Sequence, residues 1–163
     1  YLAHHQREDG TWLPLWFGNP FGREQANPVY GTAQVVDALL NRNQPADSLV
    51  RGMIAPSIKW LFSEQKQDGS WGAGAVGTAE ETGLAVKALT SSTGYFPSFH
   101  PDIHQAIERG HGWFRDSGHK PDKAAPIGLY FAKLWYYERL YRSVFTVSAY
   151  HTRLKQPDFG AGN

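Results

Sequence analysis

Apolar residues recur along this chain at helical spacing, and the spacing repeats. In YGTAQVVDALLN, Val35, Val36, Leu39 and Leu40 fall at i, i+1, i+4 and i+5. In EETGLAVKALT, Leu84, Ala85, Ala88 and Leu89 show the same spacing. Each set forms one apolar face of a helix. A further stripe, Ile58, Leu61 and Phe62, lies in APSIKWLFSEQ. Pro56 there is expected near a helix start, where a missing N–H costs little. No segment alternates convincingly in the manner of a strand.

Between the helical stripes stand two similar polar stretches, QREDGTWL and QKQDGSWG. Gln6, Asp9, Gly10 and Trp12 match Gln65, Asp68, Gly69 and Trp71 at an offset of 59 residues. The helices after them match at 50, so the first copy carries about nine extra residues, assigned to the Pro/Gly-rich WFGNPFGREQANP. YLAHHQ reads as the tail of a helix before the first copy. A decayed third unit, AIERGHGWFRDSG, aligns Trp113 and Phe114 with Trp60 and Leu61 but has Gly118 where the Gln would stand. The order helix, Gly-Trp turn, helix predicts an all-α fold built from stacked antiparallel helix pairs.

The repeated residues have a physical logic. Gln at a helix C-terminus meets carbonyls that lack partners, and its amide both donates and accepts. Gly permits the positive φ that ends a helix. A Trp returning after the turn can then cover the junction. Gln6, Gly10, Trp12, Gln65, Gly69 and Trp71 are therefore expected to clasp one helix pair to the next.

Composition narrows the function. The chain has 163 residues, 41% hydrophobic and 14% aromatic, with a net charge of +1. Nothing in that balance draws in nucleic acid. There is no cysteine, hence no disulfide or thiolate chemistry. No run is long and apolar enough to span a membrane. His100, His104 and His111 have spacing suited to a metal, but Pro101 interrupts the first interval and no carboxylate pattern completes a site, so neither metal nor cofactor is expected. The chain opens on Tyr1 and reads as a single piece of a longer protein.

WLFSEQKQDGSWG resembles the QW motif of the triterpene cyclases, the squalene–hopene and oxidosqualene cyclase family. Trp60, Leu61, Gln65, Gly69 and Trp71 fit that motif in full, and Gln6, Gly10 and Trp12 fit its second half. VYGTAQVVDAL and PIGLYFAKLWYYERLYRSVFTVSAY are similar to two further family segments, in family order. The resemblance implies that residues 1–163 are a C-terminal fragment of an α/α-toroid (an α-α barrel of antiparallel helix pairs), here partial. Its QW-type repeats lie near 6–12 and 57–71, with a degenerate third near 106–118.

The activity implied is a proton-initiated, carbocationic polycyclisation of a linear triterpene, squalene or a similar polyprenoid. The family's acid lies in an Asp-x-Asp-Asp or Asp-Cys motif, and neither occurs in this chain. The fragment is therefore expected to supply aromatic cavity wall and to be inactive alone. Tyr30 matches a family Tyr that hydrogen-bonds near the acid. Trp16 matches a cavity Trp. Pro126, Tyr130, Leu134 and Tyr137 fall on the family's cavity face and are expected to form one helical stripe. Implied partners are the polyprenoid, the upstream part of the cyclase, a second copy, and a membrane met peripherally from the cytoplasmic side. The rings of SSTGYFPSFHP either stand exposed and assist that last contact, or belong to a long loop folded onto the body. A zinc-dependent prenyltransferase subunit is set aside because that class uses a Cys ligand. The alternative is a non-catalytic α/α-repeat module that binds lipid or protein, since a repeat fold does not fix function.

Overall fold

The computed structural model of the chain describes residues 1–41, 46–117, 127–129 and 134–154. Helices dominate these residues. A short α1 (Leu2–His5) precedes the first turn; after it come α2 (Pro28–Leu40), α3 (Ser48–Ser63), α4 (Ala79–Ser92), α5 (His100–Ser117) and α6 (Arg139–Leu154). Pro28 opens α2 at a position whose N–H would be unpaired in any case. Asp47 caps α3 by accepting from the Val50 N–H at 2.8 Å. Thr78 and Glu81 form a reciprocal cap at the start of α4, the Thr hydroxyl donating to the carboxylate at 2.8 Å and accepting from the Glu81 N–H at 3.2 Å.

The helices lie in two layers. α4 sits between α2 and α6, while α3 and α5 pack against each other and cover α4 from the other side. Being flanked in this way, α4 is buried at every position except the half-buried Lys87. Lys87 reaches Asp37 of α2 at 2.7 Å, where Ser91 and Asn41 also donate to the carboxylate. On the α6 side, a Cβ on Gly83 would stand 2.7 Å from the Phe145 backbone, so only glycine allows this approach. Val36, Ile54, Ile58, Leu61, Leu89 and Ile103 fill the core between the layers. Burial of each such side chain is worth roughly 1.5–3 kcal/mol.

Two expectations are corrected. Pro56 lies inside α3, not near its start, because the Asp47 cap begins the helix at Ser48. The segment near Leu134 is not a helical stripe. β2 (Ile127–Leu129) and β3 (Leu134–Tyr136) pair antiparallel, with Gly128 opposite Trp135, and helix resumes only at Arg139. Aromatic side chains suit a pleated surface, and strand pairing outweighs the helical spacing there. β1 (Phe17–Gly18) joins the other edge of β2, making a sheet of order β1-β2-β3. Pro126 and Tyr130 lie outside the described residues, as does Gly118.

Of the two readings of the aromatic loop, the folded one holds. Phe96 is buried and stacks with Phe99 at 6.0 Å, and Phe99 meets Phe62 of α3 edge-on at 6.4 Å. Arg51 lies over the Tyr95 ring and Lys59 over the Phe99 ring. These rings are thus folded onto the body. No helix among the described residues is long and apolar enough to cross a membrane.

Candidate functional site

The two Gln–Gly–Trp turns are built with the same bonds. Asp9 accepts from the Thr11 N–H and hydroxyl at 3.0 and 2.6 Å, and Asp68 accepts from Ser70 at the same two distances. Burial pushes both carboxyls up, but these donors more than offset it and hold both below the usual carboxylate range. Gly10 and Gly69 take φ of +86° and +93°. A Cβ there would stand 2.7 Å from the Pro56 carbonyl carbon or 2.5 Å from the Arg109 oxygen, so glycine is required for space as well as conformation.

Each turn then reaches in two directions. The Trp12 indole N–H donates back to Leu2 O at 2.9 Å, and that of Trp71 to Leu61 O at 2.8 Å. The Gln6 amide donates forward to Met53 O at 2.7 Å, and that of Gln65 to Ala106 O at 2.9 Å. Met53 and Ala106 lie on α3 and α5, at the same separation in sequence as Trp60 and Trp113. Within the turn, each Gln amide also donates to its own glycine carbonyl at 3.0 Å. The Trp12 and Trp71 backbone N–H groups bind the hydroxyls of Thr32 and Thr82, which stand at matching places on α2 and α4. Trp60 of α3 is half-buried and lines a cleft with Arg7, Glu64 and Lys66.

The first turn leads into a longer connection than the second. Residues 13–27 run out from Trp12 and line an open cleft of about 750 Å³ against α1 and the first turns of α2. Leu13, Leu15, Phe17, Tyr30 and Val35 give it an apolar lining, and Gln25 and Gln34 add polar groups. Phe17 and Tyr30 meet edge to face at 6.0 Å. Glu24 and Gln25 pass through φ of +55° and +60°, a left-handed step that turns the chain back toward α2.

Tyr30 is therefore on the cavity wall. Trp16, between the lining residues Leu15 and Phe17, is 62% exposed and is not part of that lining. Leu134 and Tyr137 are each 59% exposed, one in β3 and one between β3 and α6. The sheet connects these positions through the backbone, since Phe17 is opposite Leu129 and Leu129 is opposite Leu134. Sequence spacing gave no sign of the β1–β2 pairing, because Phe17 and Leu129 are more than a hundred residues apart.

Two titratable groups are buried, which their sequence context did not reveal. Glu81 is pushed up by burial, although Thr78, the Ala73 N–H and Asn19 all donate to it. The Thr-x-x-Glu cap was the signal that would have found it. His111 is fully buried beside Tyr150, with ring centroids 4.6 Å apart, and among the described residues neither ring nitrogen has a hydrogen-bond partner. Burial, and the charge of Arg153, push it down to about 4. His100 and His104 sit apart from it, one turn from each other, with Nε2 atoms 3.3 Å apart.

A helical chain with paired Gln–Gly–Trp turns and an apolar cavity is the class of protein these observations define. Residues 1–150 match the squalene-hopene cyclase C-terminal domain, and the chain belongs to that family. It is 30% identical over 152 residues to the ent-copalyl diphosphate synthase of Streptomyces sp. (strain KO-3988), covering 91% of this chain and 25% of that protein. It is 32% identical over 120 residues to the terpentedienyl-diphosphate synthase of Kitasatospora griseola, covering 71% and 21%. It is 38% identical over 72 residues to the squalene–hopene cyclase of Zymomonas mobilis subsp. mobilis (strain ATCC 31821 / ZM4 / CP4), covering 44% and 9%. The chain thus spans a quarter or less of the length of these relatives.

Proposed function

We infer that this chain is the C-terminal part of a terpene cyclase that closes rings on a linear polyprenoid through carbocations, and that it supplies cavity wall while the acid is supplied from elsewhere in a longer protein. The observation that carries this reading is the apolar cavity of about 750 Å³ with Tyr30 on its wall, in a chain of this family. Apolar walls exclude water, which would quench a cation early. Aromatic faces stabilise a cation without attacking it, at about 2 kcal/mol each when desolvated.

In this reading the alternation of α2, α4 and α6 with α3 and α5 is an arc of an α/α-toroid, and the two turns are its QW clasps. Tyr30 donates a hydrogen bond toward the acid of the longer protein. Trp16, Leu134 and Tyr137, with Pro126 and Tyr130, belong to surface that the rest of the cyclase and the substrate cover together. The exposure of the first three supports this, since large apolar side chains are seldom left to water together. Contact with a membrane surface belongs to the same reading. The names of two relatives favour a particular substrate: both are synthases of diphosphates, which points to a polyprenoid that carries a diphosphate in place of the hydrocarbon squalene.

Binding separates these alternatives. Titrated with geranylgeranyl diphosphate and, separately, with squalene in detergent, the chain should show a change in tryptophan fluorescence with the diphosphate at lower concentration. A variant with the cavity filled, Val35→Trp, should lose the response. Neither compound should be cyclised by the isolated chain. Turnover by it would show that an acid is present after all, and equal silence toward both compounds would sink the cavity-wall reading.

A further inference from the structure

The residues inserted after the first turn are held in place by the second repeat. Asn19, at the end of β1, is 1% exposed. Its amide donates to Glu81 Oε1 at 3.4 Å, and its own Oδ1 accepts from the Phe21 N–H at 3.0 Å. The same Glu81 oxygen accepts from the Ala73 N–H at 2.8 Å, while Oε2 accepts from Thr78. One buried carboxylate thus joins three segments: the loop after β1, the loop after the second turn, and the first turn of α4. Gly74 packs on Phe21, where an added Cβ would be only 3.3 Å from the Phe21 Cβ. A small cavity of about 220 Å³ between the two loops is lined by Asn19, Phe21, Val76, Thr78 and Glu81. The matching place on α2 is Gly31, as Thr32 matches Thr82, so the first repeat has no such carboxylate of its own.

We propose that Glu81 is a positioning residue for the substrate wall: through Asn19 it fixes the loop that carries Leu15, Trp16 and Phe17 and sets β1 against β2. The proposal rests on the cavity-wall reading for its functional half. A cap alone would need only the Thr78 contact. The bonds to Asn19 and Ala73 lie beyond a cap and reach two other loops. Removing the carboxylate leaves the buried Asn19 amide and the half-buried Ala73 N–H without this acceptor, which frees the inserted loop to shift. Lys66 is the charged group whose field reaches Glu81, and it favours the carboxylate.

The test uses this chain labelled with 5-fluorotryptophan, its Trp16 resonance assigned by loss in Trp16→Phe. Glu81→Leu should move or broaden the Trp16 resonance and leave that of Trp60 in place. Glu81→Gln, which keeps an acceptor, should restore the Trp16 resonance. Affinity for geranylgeranyl diphosphate should fall about tenfold in Glu81→Leu and recover in Glu81→Gln, the scale of one lost buried hydrogen bond. If Glu81→Leu does not fold, Asn19→Ala breaks the same link from the loop side and carries the same expectation. A Trp16 resonance unmoved in both variants would overturn the proposal. A moved resonance with unchanged affinity would overturn its functional half. Failure of the unaltered chain to bind the compound would instead count against the cavity-wall reading and leave the resonance result to decide on Glu81.

Discussion

The two Gln–Gly–Trp turns share nearly every bond, yet they serve different surroundings. Around Trp71 the chain returns to α4 within a few residues, and the indole is completely buried, with Gly110 of α5 packed close to its ring. Around Trp12 the chain first makes a long excursion that forms β1, crosses the left-handed step at Glu24 and Gln25, and lines the apolar cleft. The difference shows that a repeat can keep its mechanical joint while the loop beside one copy lengthens and lines a cleft. The copies share the part that satisfies backbone carbonyls at helix ends. They differ in the loop, which the joint does not need.

The largest expected effect comes from removing the buried ring. Trp71→Ala should destabilise the chain by about 4 kcal/mol in urea unfolding, as large buried aromatics do. Trp12→Ala, where the ring is 3% exposed against 0% for Trp71, should cost slightly less, and equal losses would mean the first joint is as enclosed as the second. Gly69→Ala should cost about 3 kcal/mol, combining left-handed strain with a Cβ pressed on the Arg109 carbonyl. Gly10→Ala meets Pro56 at a slightly longer distance and should be somewhat milder.

Acid should sharpen the contrast, because His111 lies on the side of the second turn. Its folded value is about 4 against 6.5 for a free imidazole, so the unfolded chain takes up the proton first as pH falls. The stability that His111 permits is fully present above about pH 6.5 and is lost as pH drops toward 4, by roughly 3 kcal/mol in all. Glu108 opposes this shift, while Arg153 and Arg115 reinforce it. Thermal midpoints across pH 4 to 7 should therefore fall less in His111→Phe, which removes the titrating ring and two unpaired nitrogens. A parallel fall in both proteins would assign the acid sensitivity to other groups.

The smallest effects belong to the amides. Gln6→Ala should cost about 1–2 kcal/mol and Gln65→Ala slightly less, since Gln6 also reaches the Ser57 hydroxyl at 3.2 Å. A reversed order would show that the Ser57 contact contributes nothing beyond the backbone pair.

The helices were legible because a buried helix face needs apolar residues every three to four positions, and Val36, Leu39, Ile58, Leu61, Ala85 and Leu89 record that need directly. Gly10 and Gly69 were legible because few residues tolerate their backbone. The family was legible for a related reason, since the ordered set of turns and segments leaves little freedom. Other features left no local trace. Asp47 moved the start of α3 far ahead of Pro56, since a cap and tertiary packing together can carry a helix through proline. Leu134 was expected on a helical stripe, and strand pairing with Ile127–Leu129 and β1 took its place.

By itself, then, the sequence determined an array of helix pairs joined by Gln–Gly–Trp turns, because periodicity and glycine act over a few residues. Only the tertiary structure decided which carbonyl each Gln would bind, that β1 would find β2, and that Glu81 would be buried beneath Asn19. It also decided that residues 13–27 would line a cleft with Tyr30 on its wall. Each of these depends on surfaces brought together from distant parts of the chain, where the free energy comes from burial and from satisfying polar groups away from water.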